Sequence, residues 1–235
     1  MQFPFFYIGS FEPSSKTIAL DEDTSRHVVQ VLRMKEGEKL NLTDGQGSLI
    51  EAAIGAAHKK HCTVEIITTS NQQLATRKVT IAISLLKNTS RFEWFLEKAT
   101  EIGVYEIIPL ICERTEKQKF RFDRMKSICV SAMLQSQQTW LPVLNEPMQF
   151  SNQTIQQFNQ QQKFIAHCID SDKQQLNDQT IKQSAIILIG PEGDFTKEEV
   201  ELALKNNFIP VSLGETRLRT ETAGVVAATL LKMIS

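Results

Sequence analysis

The chain holds 235 residues, 41% hydrophobic and 23% charged, with a formal net charge of −1. That composition describes a globular chain with a real core, long enough for one large domain or two unequal ones. It excludes a generic polycation, and no stretch approaches the roughly 20 apolar residues that a membrane helix requires. Met1–Phe6 has neither a basic stretch nor a small-residue cleavage site, so no secretory leader and no membrane partner are expected, and a cytoplasmic location is. The four cysteines, Cys62, Cys112, Cys129 and Cys168, form no C-x-x-C pair. All but Cys62 sit in apolar-periodic stretches and read as buried, reduced thiols.

Up to about Thr69 the chain consists of short β-favouring runs: Phe3–Ile8, Thr17–Leu20, Lys39–Thr43, Leu49–Ile54 and Thr63–Thr68. Turn signals such as Lys35–Glu38 and Asp44–Gly47 separate them, which predicts a small β-barrel. Ser25–Met34 interrupts the barrel with Val28, Val29, Val31 and Leu32 spaced as in one short helix. The Phe-rich start, Phe3–Tyr7, reads as barrel core. His58-Lys59-Lys60-His61-Cys62 reads as a basic surface turn, because no second ligand cluster accompanies it; no metal is expected. Polar Ser70–Gln73 is the expected linker, dividing the chain into residues 1–72 and 73–235.

From Lys78 the pattern becomes alternating strands and helices. Val79–Leu86 is a continuous apolar run of the kind found in strands buried on both faces. Arg91–Gly103 is an amphipathic helix with Gly103 as its stop. Ile107–Cys112 is a strand and Phe122–Gln138 a helix. Phe164–Ile169 and Ala185–Ile189 are buried strands, Thr196–Asn206 a helix, Pro210–Leu213 a strand and Thr222–Ile234 a final apolar helix. This alternation predicts an α/β domain with a mainly parallel sheet. The Gln- and Asn-rich stretches Asn152–Lys163 and Gln174–Gln183 read as its exposed surroundings.

Two loops carry the chemistry. In Gly190-Pro191-Glu192-Gly193-Asp194-Phe195-Thr196 a buried strand meets a Gly-flanked turn, and Thr196 with Glu199 forms a capping box. Such loops at the carboxyl edge of a parallel sheet are where α/β folds bind ligands, although a ligand-free tight turn has the same appearance. Leu213–Gly224 is a second such loop, and helix capping by Thr220 or Thr222 accounts for only part of it. Neither G-x-G-x-x-G after the first strand of this region nor G-x-x-x-x-G-K-[ST] is present, which excludes the common dinucleotide and P-loop sites.

Gly190-Pro191-Glu192-Gly193, Leu213-Gly214 and Leu218-Arg219-Thr220-Glu221-Thr222-Ala223 resemble the RsmE family of rRNA uridine-N3 methyltransferases, of the SPOUT class. Glu97–Val104 and His27–Arg33 match the same family in the same order, so the likeness spans nearly the whole chain. The departure is at Ala132–Pro142: the family has Glu where Leu134 stands and Gly-Arg where Gln137-Gln138 stand, while Gln135 and Pro142 keep the pattern.

The resemblance implies a knotted α/β methyltransferase domain behind a PUA-like RNA-binding barrel, a homodimer, S-adenosylmethionine as cofactor, and 16S rRNA or the small ribosomal subunit as partner. By resemblance Gly190, Pro191, Gly193, Leu213, Gly214, Leu218, Arg219, Thr220, Thr222 and Ala223 would form the cofactor pocket. Arg219 would stabilise charge on the uracil oxygens, with Glu192 or Glu221 accepting the proton. The basic run Arg114–Lys126 contributes Arg114, Lys117 and Arg121 as expected RNA contacts; the barrel contributes His27, Arg33 and Lys35. Two other classes compete: an RNA-binding protein with a degenerate methyltransferase fold, and an enzyme acting on a free nucleotide.

Overall fold

The computed structural model describes residues 3–116, 119–170 and 172–233. The chain divides into two compact units: residues 1–74 with 133–141, and residues 75–132 with 142–235.

The first unit is a five-stranded sheet built from β1 (Phe5–Tyr7), β2 (Thr17–Ala19), β3 (Lys39–Thr43), β4 (Ser48–Ala56) and β5 (Thr63–Asn71) in the order β1-β3-β4-β5-β2. β1 runs parallel to β3, and the other neighbours are antiparallel. Along β4 alternate residues turn inward, so Ile50, Ala52 and Ile54 join Leu40, Leu42 and Val64 in one apolar core. β5 continues through Ser70 and Asn71, residues that composition alone reads as linker.

Three expectations change here. Ser25–Met34 is not one helix: α1 (Glu22–Arg26) is capped by Asp21 and passes into a π-helical turn over His27–Val31, closed by Leu32 N–H donating to His27 O at 2.9 Å. Of the four apolar residues only Val28 is buried, while Val31 is 66% and Leu32 42% exposed, because the wider turn rotates them off the core face. Cys62 is fully buried and Cys168 exposed, the reverse of the sequence reading. Cys62 opens β5 and its N–H donates to the buried Ser25 Oγ at 3.0 Å; Cys168 lies two residues beyond its strand.

The expected basic turn is at the surface, with the His58 and His61 rings stacked 5.5 Å apart. Segment 133–141 joins this unit through Thr139–Leu141. Gly47 N–H donates to Thr139 O, Leu141 N–H to Gly45 O, and the Trp140 indole to Gln72 O at 3.0 Å.

The second unit is an eight-stranded sheet whose described pairings are all parallel. Its strands are β6 (Lys78–Ser84), β7 (Glu106–Ile111), β8 (Val143–Leu144), β9 (Met148–Gln149), β10 (Gln162–Ala166), β11 (Gln174–Gln175), β12 (Ser184–Ile189) and β13 (Ile209–Ser212). Their order is β11-β13-β10-β12-β6-β7-β8, with β9 also beside β7. β6 and β12 sit at its centre and are buried along nearly their whole length, as their unbroken apolar runs require.

The helices are α2 (Thr89–Ile102), α3 (Phe122–Gln135), α4 (Asn152–Gln156), α5 (Lys197–Lys205) and α6 (Thr220–Met233). α2 starts on Asn88, which accepts from Ser90 N–H, and stops at Gly103 in the left-handed region (φ 82°). α3 ends at Gln135, three residues before the expected Gln138, and its last turn belongs to the first unit. α6 packs against α2 and β6 so closely that a Cβ on Gly224 would meet Phe95 at 2.7 Å and Ile83 at 2.8 Å. Among the described residues no helix is long and apolar enough to cross a membrane.

Candidate cofactor site

Strand order creates the site. β10 lies between β12 and β13, with Ala166 level with both Ile189 and Val211. The next residues, Gly190, His167 and Ser212, therefore stand side by side at the sheet's carboxyl edge, where open α/β sheets bind ligands, Gly190 and His167 just past their strands and Ser212 the last residue of β13. The sequence reading carries the β10 strand on to Ile169; it ends at Ala166, which makes His167 part of the edge.

The first loop is clamped from several sides. Asp194 N–H donates to Pro191 O at 2.9 Å, closing a turn that holds Asp194 at φ 63°. Asp is among the few side chains that tolerate this region, and its Oδ2 accepts from Cys168 N–H at 2.8 Å. Glu192 Oε1 accepts from Lys87 N–H at 3.1 Å, and Arg114 donates to Gly193 O at 2.7 Å. A Cβ on Gly190 would stand 3.0 Å from the Phe195 ring, so the loop needs glycine where it crosses that buried side chain. Thr196 and Glu199 form the expected capping box.

The second loop leaves β13 through Gly214 (φ 140°), with Ser212 Oγ donating to Gly214 O at 2.8 Å, and enters α6 at Thr220.

Between the loops lies a cavity of about 650 Å³, within the range of about 300–1,000 Å³ usual for small-molecule sites. It is lined by Gly190, Pro191, Glu192, Leu213, Gly214, Leu218, Arg219, Thr220 and Ala223, all singled out by sequence. The remaining predicted residues lie elsewhere. Gly193 packs against Arg114, whose Cδ would be 3.3 Å from an added Cβ. Glu221 and Thr222 line a separate cavity of about 290 Å³ with Ser90, Arg91 and Trp94. Glu221 is buried there, 3.6 Å from the Arg91 guanidinium.

Of the expected RNA contacts, His27, Arg33 and Lys35 are exposed on the first unit, with Arg33 held at φ 55°. Arg114 and Arg121 are exposed on the second; Lys117 lies outside the described residues. Part of the basic run is neutralised, since Arg124 makes a bidentate pair with Glu93 and holds that carboxyl below its usual range.

Sequence reasoning missed His167, Lys173 and Arg217, which also line the large cavity. His167 is 8% exposed, and neither ring nitrogen has a hydrogen-bond partner. Burial, with the nearby Lys173 ammonium, lowers its pKa, so the imidazole stays neutral. Burial conversely raises the Cys112 and Cys129 thiols, the latter to about 11, so neither is a thiolate near neutral pH. Among the described residues no group of three or more His, Cys, Asp or Glu side chains could hold a metal ion.

The cavity suits S-adenosylmethionine. Ile189, Val211, Leu213 and Leu218 offer apolar walls for a flat base, while loop backbone and buried polar atoms at the rim can meet its polar groups.

Residues 72–232 match the family model of an RNA methyltransferase domain, and residues 20–67 that of an RNA methyltransferase PUA domain. Fold, loops and these matches define an RNA methyltransferase with an attached PUA domain. A probable rRNA-methyltransferase from Porphyromonas gingivalis has the same fold at TM-score 0.88 and 40% identity, covering 96% of this chain and 95% of that one. The ribosomal RNA small subunit methyltransferase E of Neisseria gonorrhoeae, solved with S-adenosylmethionine bound, superposes at TM-score 0.86 and 27% identity over 97% of this chain and 95% of its own. The Synechocystis enzyme of the same name is 31% identical over 219 residues, 90% of this chain and 71% of its own. The chain belongs to the ribosomal RNA small subunit methyltransferase E (RsmE) family, whose methyl donor is S-adenosylmethionine.

Proposed function

We propose that this protein methylates N3 of a specific uridine in 16S rRNA, as free RNA or within the small subunit, in the bacterial cytoplasm. The observation that carries the reading is a cavity of about 650 Å³ flanked by both signature loops at the sheet's carboxyl edge. The names of the relatives supply the RNA, and the family resemblance supplies the base and the atom.

When bound, S-adenosylmethionine supplies a methyl group on a sulfonium centre, an electrophile that needs little activation. Backbone groups of Gly190, Leu213, Leu218 and Thr220 orient it, and Pro191, Gly214 and Ala223 shape the walls. Uracil N3 carries a proton at neutral pH, so the protein must favour the anion and align it with the methyl group. Arg219, exposed on the cavity lining, stabilises the charge that deprotonation spreads onto the uracil carbonyl oxygens. Of the two candidate carboxylates, Glu192 lines this cavity and is the favoured proton acceptor. Glu221, beside Arg91, acts through the helix start unless the base reaches the smaller cavity.

RNA is held by His27, Arg33 and Lys35 on residues 1–72, closed into a PUA-like barrel, and by Arg114, Lys117 and Arg121 on residues 73–235. The positive φ of Arg33 supports the first set, because backbone strain concentrates at functional sites. We read the loops around β12, β13 and α6 as the SPOUT trefoil knot. The protein acts as a homodimer; exposed Met233 and Trp94 and half-buried Val226 and Leu230 give apolar surface to bury. The experiment is nucleoside mass spectrometry of small-subunit rRNA from cells with the gene, without it, and with Arg219→Ala. Loss of N3-methyluridine in the last two is expected; its persistence without the gene would refute the assignment.

A further inference from the structure

His167 lines the cavity. It follows the middle strand of three, with Gly190 following one neighbouring strand and Ser212 ending the other. It is more than nine-tenths buried, and neither ring nitrogen has a partner at hydrogen-bonding geometry; the Ile169 backbone and the Asp194 carboxylate only offset part of the lowering of its pKa. A neutral imidazole has one N–H to donate and one lone pair to accept, and native proteins leave such atoms unpaired in the interior only rarely. The surroundings keep it waiting for a ligand. Lys173 is engaged elsewhere, its ammonium donating to His167 O at 3.2 Å and Ile169 O at 2.9 Å. Asp194, whose charge reaches the ring, spends Oδ2 on Cys168 N–H. Neither side chain hydrogen-bonds the ring.

We propose that His167 is a cofactor-binding residue, hydrogen-bonding a polar group of S-adenosylmethionine. The inference rests on the methyltransferase reading and adds a residue that neither signature loop contains. A buried imidazole on the cavity lining is within reach of a small molecule that fills the cavity, whereas the exposed Arg217 and Arg219 are the lining residues open to RNA. Because the ring is neutral, its contact is a hydrogen bond rather than an ion pair, so it recognises the cofactor and its demethylated product alike, whatever the sulfonium charge.

The test is calorimetric binding of S-adenosylmethionine, S-adenosylhomocysteine and 5′-methylthioadenosine to wild type, His167→Leu and His167→Asn, with thermal unfolding of each ligand-free protein. His167→Leu is expected to unfold no earlier than wild type, since it removes unpaired polar atoms, yet to bind the first two ligands about 5- to 30-fold more weakly. His167→Asn should recover part of the loss. An equal loss for 5′-methylthioadenosine places the contact on the nucleoside, and an undiminished affinity places it on the amino-acid part; both support the proposal. Unchanged affinity for all three ligands in both variants overturns it. If His167→Leu does not fold, unchanged affinity in His167→Asn decides alone. Failure of the wild type to bind any of them would instead overturn the methyltransferase reading itself.

Discussion

Replacing Gln137 by glycine should stabilise the protein, although the side chain is exposed and polar. α3 ends in a Schellman motif: Gln137 N–H donates to Leu134 O at 3.1 Å and Gln138 N–H to Met133 O at 3.0 Å. The motif places Gln137 in the left-handed region at φ 59°, where glycine is the usual residue and where the resembling family has one. An L-residue there costs about 1–2 kcal/mol, while glycine's freer unfolded chain takes back about 0.4–1 kcal/mol. The variant also loses the exposed contact of Gln137 Nε2 with Leu134 O at 3.3 Å, a term of a few tenths of a kcal/mol. The net gain is about 0.5–1 kcal/mol. Urea unfolding followed by fluorescence measures it, with Trp94→Phe as the background so that only Trp140 reports. Trp140 lies in the same compact unit as Gln137, its indole bonded to Gln72 O. Gln137→Val in the same assay should lose stability, because β-branching worsens the left-handed strain. A Gln137→Gly protein no more stable than its parent would refute the strain argument.

Other consequences are equally direct. Gly224→Ala pushes a methyl into Phe95 and Ile83, so about 1–3 kcal/mol of stability should vanish, read from the shift of the urea midpoint. The lowered pKa of His167 fixes a sign for pH. The unfolded chain takes up a proton below the ordinary value of 6.5 and the folded chain does not, so this contribution is complete above that value and is lost as pH falls towards the lowered folded value. His167→Gln should therefore flatten the stability loss between about pH 7 and pH 5, measured by unfolding at stepped pH. Arg114→Ala should make RNA affinity less steeply salt-dependent by about one unit of log–log slope in filter binding across a salt series. An unaltered slope would confine Arg114 to its bond with Gly193 O. Asp194→Ala leaves left-handed strain without the clamp on Cys168 N–H, and weaker S-adenosylmethionine binding by calorimetry is the expected result.

The amino-acid sequence by itself determined what depends on neighbours along the chain. The unbroken apolar runs of β6 and β12 mark strands buried on both faces; Gly103 and the Thr196–Glu199 box mark helix ends; the two loops appear as Gly-flanked polar stretches after strands. These signals are local because periodicity and capping act within about four residues. Tertiary structure decided everything that depends on which strands become neighbours. Nothing near Phe164–Ile169 shows that β10 inserts between β12 and β13, and only that insertion brings His167 to the cavity. Burial of Cys62 depends on Ser25, 37 residues earlier, and membership of residues 133–141 in the first unit depends on backbone bonds to Gly45 and Gly47. Such partners are chosen by how sheets pair and cores close, a global free-energy comparison that no local pattern records.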